Sequence, residues 1–87
     1  MRIGRDWIMF RCDLEYWQAC YAGDKTAEVR LLDRDEFREV CRVNPKVIEL
    51  ETDQDPDGAG ALAFNISYWH EIGELVGKHL VIFCWRS

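Results

Sequence analysis

Lys25, Thr26, Glu28 and Arg30 bring two cations, a hydroxyl and a carboxylate within six residues. If the segment is extended, Thr26, Glu28 and Arg30 share one face, and Ala27, Val29 and Leu31 share the other. Lys25 lies just ahead and can join the polar set. Two chemistries fit this pattern. On an ordinary half-buried strand the charged residues face water and form a cross-paired surface of small energetic weight. Gathered into a pocket they do more. Arg30 offers a rigid fork for a phosphate, a carboxylate or a base edge. Glu28 holds Arg30 or Lys25 in place, or accepts from the amino group of a base.

The flanking segments must position these groups. Asp13 precedes a short amphipathic stretch in which Leu14, Trp17 and Tyr21 recur at helical spacing, so a helix is predicted over 13–22 with Asp13 as its N-cap. Gly23 then supplies a left-handed stop without a Cβ clash. Upstream, 7–12 reads as a first strand, and 26–32 as the next. Asp33 and Glu36 stand at capping-box spacing ahead of Phe37, Val40 and Cys41, which predicts a second helix over 33–41. Arg34, Arg38 and Arg42 fall four apart on its other side, either as a solvated face paired with Asp35 and Glu39 or as guanidiniums flanking the pocket.

The residues Gly23-Asp24-Lys25-Thr26-Ala27-Glu28-Val29-Arg30 resemble the G-x-K-x-x-E-x-R signature of the ASCH domain, a member of the PUA-like superfamily. Leu14 to Ala19, with Tyr16 and Trp17, resembles the helix that precedes that signature. Asp33-Arg34-Asp35 resembles the Asp-Arg step of small bacterial and phage ASCH-like proteins. The resemblance implies a single ASCH-like domain over 1–87, a small PUA-like β-barrel with flanking helices. It also implies a pocket for a nucleotide, a modified base or RNA, built on Lys25, Thr26, Glu28, Arg30, Asp33 and Arg34, with Tyr16, Trp17 or Trp69 as a stacking surface. An ASCH-like hydrolase, an amidohydrolase or a ribonuclease, is the alternative. The amidohydrolase branch has a threonine nucleophile where this chain has Glu28, and a carboxylate is a poor substitute because its acyl-enzyme would be an anhydride. No glycine follows Gly23 until Gly58, so the usual turn after the signature is missing.

Beyond the signature, Asn44-Pro45 breaks the chain. Strands are predicted over 46–52 and 61–66, as a hairpin whose turn, 53–60, is rich in breakers. Ser67 reads as the cap of a third helix over 68–76, stopped by Gly77, before a last strand over 78–85 rich in β-branched and aromatic residues. The order β-α-β-α-β-β-α-β suits an α+β fold, either the small barrel or a ferredoxin-like sandwich.

Glu49, Glu51, Asp53, Asp55 and Asp57 are acidic at every second position, about 6.6–6.8 Å apart if extended. They read as a charged, aggregation-resistant edge, or as a mimic of a nucleic-acid backbone on a small acidic phage-type inhibitor that binds a host protein. Asp53-x-Asp55-x-Asp57-Gly58 opens like a calcium loop, but the twelfth position is Phe64 and Pro56 lies inside.

Composition sets the bounds. Eighty-seven residues, 48% hydrophobic with four tryptophans, make one domain with one modest core. A net charge of −5 disfavours a long polyanion partner, although 25–46 is locally net +1. Cys12, Cys20, Cys41 and Cys84 are scattered, and no export-type or membrane-length apolar run accompanies them. They are expected to be reduced thiols in a cytoplasmic protein with no membrane partner. His70 and His79 lack metal-ligand spacing, so neither metal nor cofactor is expected.

Overall fold

The computed structural model describes residues 1–53 and 60–86. The strands are β1 (Arg2–Ile3), β2 (Trp7–Arg11), β3 (Ala27–Leu32), β4 (Val47–Glu51), β5 (Leu62–Leu75) and β6 (Lys78–Trp85), and the helices are α1 (Leu14–Ala22) and α2 (Arg34–Val43). The fold is α+β. The strands form one mixed sheet in the order β1-β2-β4-β5-β6-β3. β2 and β4 are parallel, joined by a crossover through α1, β3 and α2, and the other pairings are antiparallel.

Local sequence explains much of this. Asp33 accepts from the Glu36 backbone N–H while Glu36 reaches back to the Asp33 N–H, so α2 starts on a complete capping box. α2 ends at Asn44, which adopts the left-handed conformation with φ 50°. Gly23, with φ 83°, ends α1 as its lack of a Cβ suggests. Asp13 has the extended backbone of an N-cap, but its side chain makes no capping bond.

The segment 68–76 is not a helix. It is the second half of the 14-residue strand β5. Tyr68, Trp69, Ile72 and Val76 suit helical spacing, but pairing with β6 decides the matter. The register runs Trp69↔Phe83, His70↔Ile82 and Glu71↔Val81, and the Trp69 ring packs 6.3 Å from that of Phe83. Ser67 donates its hydroxyl to the Cys84 carbonyl rather than capping a helix. Val76 and Gly77 form the hairpin turn, with φ 51° and 76°. Positive φ at both central residues is the type I′ pattern, whose twist matches the flanking strands.

The core lies between the helices and the inner sheet face. Ile8 and Phe10 of β2, Ile48 and Leu50 of β4, and Val81, Phe83 and Trp85 of β6 meet Cys20 of α1 and Val40 of α2. The outer face differs between the two halves of the sheet. On β2, β4 and the start of β5 it is mixed, with Arg11, Glu49, Glu51 and Asn65 beside Trp7, Met9, Val47 and Ala63. On β3 the polarity is reversed. Glu28 is buried and Arg30 half-buried on the inner face, while Val29 and Leu31 are 48% and 43% exposed on the outer one. An ordinary half-buried strand would have turned Ala27, Val29 and Leu31 inward.

A β-branched residue in the left-handed region costs about 1–2 kcal/mol. Val76 is 93% exposed, so no packing is lost on replacing it. Val76→Asn should therefore stabilise the protein by about 1 kcal/mol. Thermal unfolding should register this as a rise in Tm of about 4–8 °C.

Candidate functional site

β3 is one edge of the strand order and β2 lies next to the other edge, yet the two come within reach of one side chain. Arg30 donates from Nε to Glu28 Oε1 at 2.5 Å and from Nη2 to the Arg11 carbonyl at 2.6 Å. Its guanidinium lies 4.8 Å from the centre of the Phe10 ring. One residue of β3 thus ties a buried carboxylate, the end of β2 and an aromatic face together. Glu28 pairs with Arg30 and not with Lys25.

Glu28 is the one charged side chain buried among the described residues, at 5% exposure. Its second oxygen, Oε2, is buried without a hydrogen-bond partner. Tyr16 stands beside it, but the single phenolic proton goes to the Ala27 carbonyl at 2.6 Å. Burial pushes the Tyr16 phenol far above its ordinary value, and Glu28 adds to the effect, first as a hydrogen-bond acceptor that competes with the Ala27 carbonyl for the phenolic proton and then by its charge. Burial likewise pushes the Cys12 thiol up to about 11, again with help from Glu28. Cys12 is therefore a neutral thiol at physiological pH and a poor nucleophile.

Tyr16 and Glu28 form the wall between two openings. On one side Asp24, Lys25, Thr26, Ala27 and Val29 complete a cavity of about 490 Å³. On the other, Arg11, Cys12, Asp13 and Arg30 complete one of about 260 Å³. Lys25, Thr26, Glu28 and Arg30 are thus gathered around one wall, with Lys25 and Thr26 exposed at the mouth. The αL turn at Gly23 makes this possible: it reverses the chain so that α1 presents Tyr16 to the start of β3.

Asp33 and Arg34 are not part of this cluster. They sit beyond the far end of β3, about 25 Å from Lys25 at the rise of an extended strand, and the Asp33 carboxylate is engaged in capping α2. Trp17 is buried and stacks on Tyr21 at 5.6 Å. Trp69 is half-buried and donates its indole N–H to Asn44. Neither tryptophan lines the two openings, whereas Tyr16 lines both. Arg11, Cys12 and Asp13 are site neighbours that the strand-and-signature reading left out. They flank the junction of β2 and α1, which only the crossover brings beside β3.

The acidic row is partly neutralised. Arg11 pairs with Glu51 at 3.1 Å and with Asp53 at 3.3 Å. Asp55 and Asp57 lie outside the described residues. Arg42 of the helix row pairs with Glu39 as a solvated face would. Among the described residues no group of His, Cys, Asp and Glu side chains is arranged to hold a metal ion. No described helix is long and apolar enough to cross a membrane. Comparison with protein-family models, with curated proteins and with solved structures gives no match.

Two outcomes follow from the geometry. Arg30→Ala leaves a buried carboxylate unpaired and should cost about 3 kcal/mol in urea unfolding. The double substitution Glu28→Met with Arg30→Met should recover most of that loss, because removing both charges removes the desolvation with the pairing. The second outcome is alkaline. Cys12 and Tyr16 both have raised values in the folded protein, so the unfolded chain ionises first and stability is lost as pH rises. Stability should hold up to the ordinary thiol value of 9.0 and decline above it. Cys12→Ser should flatten the first part of that decline in a pH series of denaturation midpoints.

Proposed function

We propose that the groove around Tyr16, Lys25, Thr26, Glu28 and Arg30 binds a nucleotide, a modified base or a short RNA segment, as an ASCH-like pocket in a curled PUA-like sheet would. The observation that carries this reading is Glu28, a buried carboxylate in the wall of two cavities whose Oε2 makes no hydrogen bond. A buried acceptor left without a partner costs on the order of 1–3 kcal/mol, and more when it is charged. A ligand N–H that reaches this oxygen as the wall between the cavities opens removes that cost, and the amino group of a base is such a donor. Arg30 holds the carboxylate from its other oxygen, so the acceptor is in position before the ligand arrives.

The remaining groups then have separate roles. Lys25 is a mobile point charge at the mouth, suited to a phosphate. Thr26 adds a hydroxyl on the same side. Tyr16, with its hydroxyl fixed on the Ala27 carbonyl, supplies a ring edge or face to a planar ligand. The net charge of −5 works against a long polyanion, so the contact is small and local. Asp33 and Arg34 take no part.

Chemical-shift mapping with nucleosides, nucleotides and short RNAs tests this reading. Shifts are expected to cluster on Lys25, Glu28 and Arg30. Glu28→Gln should weaken base-containing ligands by about tenfold, the loss of one charge-assisted hydrogen bond. Lys25→Ala should weaken only the phosphorylated members of the panel. Unmoved resonances at millimolar ligand would remove the reading.

A further inference from the structure

Backbone alternation decides which groups β3 offers to its open edge. The Trp85 N–H donates to the Thr26 carbonyl. Thr26, and in step with it Glu28, Arg30 and Leu32, therefore turn N–H and C=O towards β6. Ala27, Val29 and Leu31 turn theirs the other way. The Tyr16 hydroxyl reaches the Ala27 carbonyl from that side, in agreement. Among the described residues β3 pairs with β6 alone. β2 approaches the edge through the Arg30 side chain and supplies no ladder. An edge of this kind is a template for another strand. The charges along it are ordered. Counted outwards from Val29, Glu28 mirrors Arg30, Lys25 mirrors Asp33 and Asp24 mirrors Arg34, each with its opposite sign. These are all the ionic residues from Asp24 to Arg34. Asp24, Lys25 and Arg34 are exposed and enter no ion pair among the described residues.

We propose that two copies of the chain pair antiparallel through the open edge of β3, about a two-fold axis at Val29. Val29 then faces Val29 of the partner subunit as a hydrogen-bonded pair, and Ala27 faces the partner's Leu31 in the same way. Each ionic residue faces its opposite, Lys25 the partner's Asp33 and Glu28 the partner's Arg30. The Asp33 cap of α2 uses Oδ1 and leaves the other oxygen for this contact. The Ala27 carbonyl has a second lone pair beside its bond from Tyr16. A two-fold centred one residue to either side sets Glu28 or Arg30 against its own copy. Charged side chains on an edge bar an arbitrary strand, and the mirrored order makes the chain's own β3 the strand that they admit. The outer rows of the sheet, to which Val29 and Leu31 belong, continue from one copy into the next. The ladder is short, so the association is of the transient class that buries less than about 1,200 Å² in total. It needs no ligand in the pocket.

Sedimentation velocity and amide hydrogen exchange of the full chain, from micromolar to millimolar concentration, test the proposal, with circular dichroism confirming that each variant is folded. The wild type should pass from monomer to dimer across that range. At low concentration the Ala27, Val29 and Leu31 amides should exchange fast and those of Glu28, Arg30 and Leu32 slowly. At high concentration all of them should be slow. Lys25→Glu sets like charges against each other at both ends of the pairing and should weaken it by about tenfold. Mixed with Asp33→Lys it should regain the wild-type constant, because each variant then faces the charge it lacks. Arg5→Glu makes the same change in net charge at an exposed position before β2 and should leave the constant within about twofold. Val29→Pro removes the central edge N–H without touching the ladder to β6 and should hold the chain monomeric. A wild type that stays monomeric at millimolar concentration would overturn the proposal. A dimer whose Ala27, Val29 and Leu31 amides remain fast, or one indifferent to Lys25→Glu and Val29→Pro, would overturn it equally.

Discussion

The ion pair between Arg30 and Glu28 is the constraint on which the rest of the arrangement depends. A carboxylate at 5% exposure is tolerable only with a partner that is itself held in place. Arg30 is held three ways, by Glu28, by the Arg11 carbonyl and by the Phe10 ring. These contacts draw the end of β2 towards β3, although no ladder joins the two strands among the described residues. A side chain thus does at this gap what backbone pairing does elsewhere in the sheet. The junction of β2 and α1 follows, and with it Cys12 and Asp13 reach the wall of the smaller cavity.

That choice has a consequence on the other side of the strand. Side chains alternate, so placing Glu28 and Arg30 inward places Val29 and Leu31 outward. β6, the neighbour of β3, buries Val81, Phe83 and Trp85 in the core and leaves Leu80, Ile82 and Cys84 on the outer rows. The pocket and the apolar face are therefore two results of one register. A one-residue slip of β3 would bury Val29 and Leu31 conventionally and would abolish both. The described core is small and already complete without these residues, which is why the molecule can leave them outside.

Much of the local structure was legible because it is decided within a few residues. The capping box of Asp33 and Glu36, the left-handed Gly23 and the strand flanking it need only neighbouring backbone groups. The antiparallel pairing of 46–52 with the chain after the breaker-rich turn was equally readable, and β4 and β5 realise it. The segment 68–76 was not, because its aromatic and aliphatic residues satisfy helical and extended spacing alike. Its state depends on β6, which follows in sequence and supplies the cross-strand partners for Trp69, His70 and Glu71. Gly73, weak in a helix, and a type I′ turn at Val76 and Gly77 then favour the hairpin.

By itself the sequence determined an α+β chain, both of the described helices, and the grouping of Lys25, Thr26, Glu28 and Arg30 on and just ahead of one short strand. Only the tertiary structure decided which way that strand faces. The alternation of polar and apolar residues along β3 is symmetric under inversion, so the pattern names two faces without saying which is inside. What breaks the symmetry is the long-range contact of Arg30 with Arg11 and Phe10, residues about twenty positions away that the crossover through α1 carries to its side. The same contact left Asp33 and Arg34 at the other end of the strand, because an extended chain separates residues that a motif lists side by side.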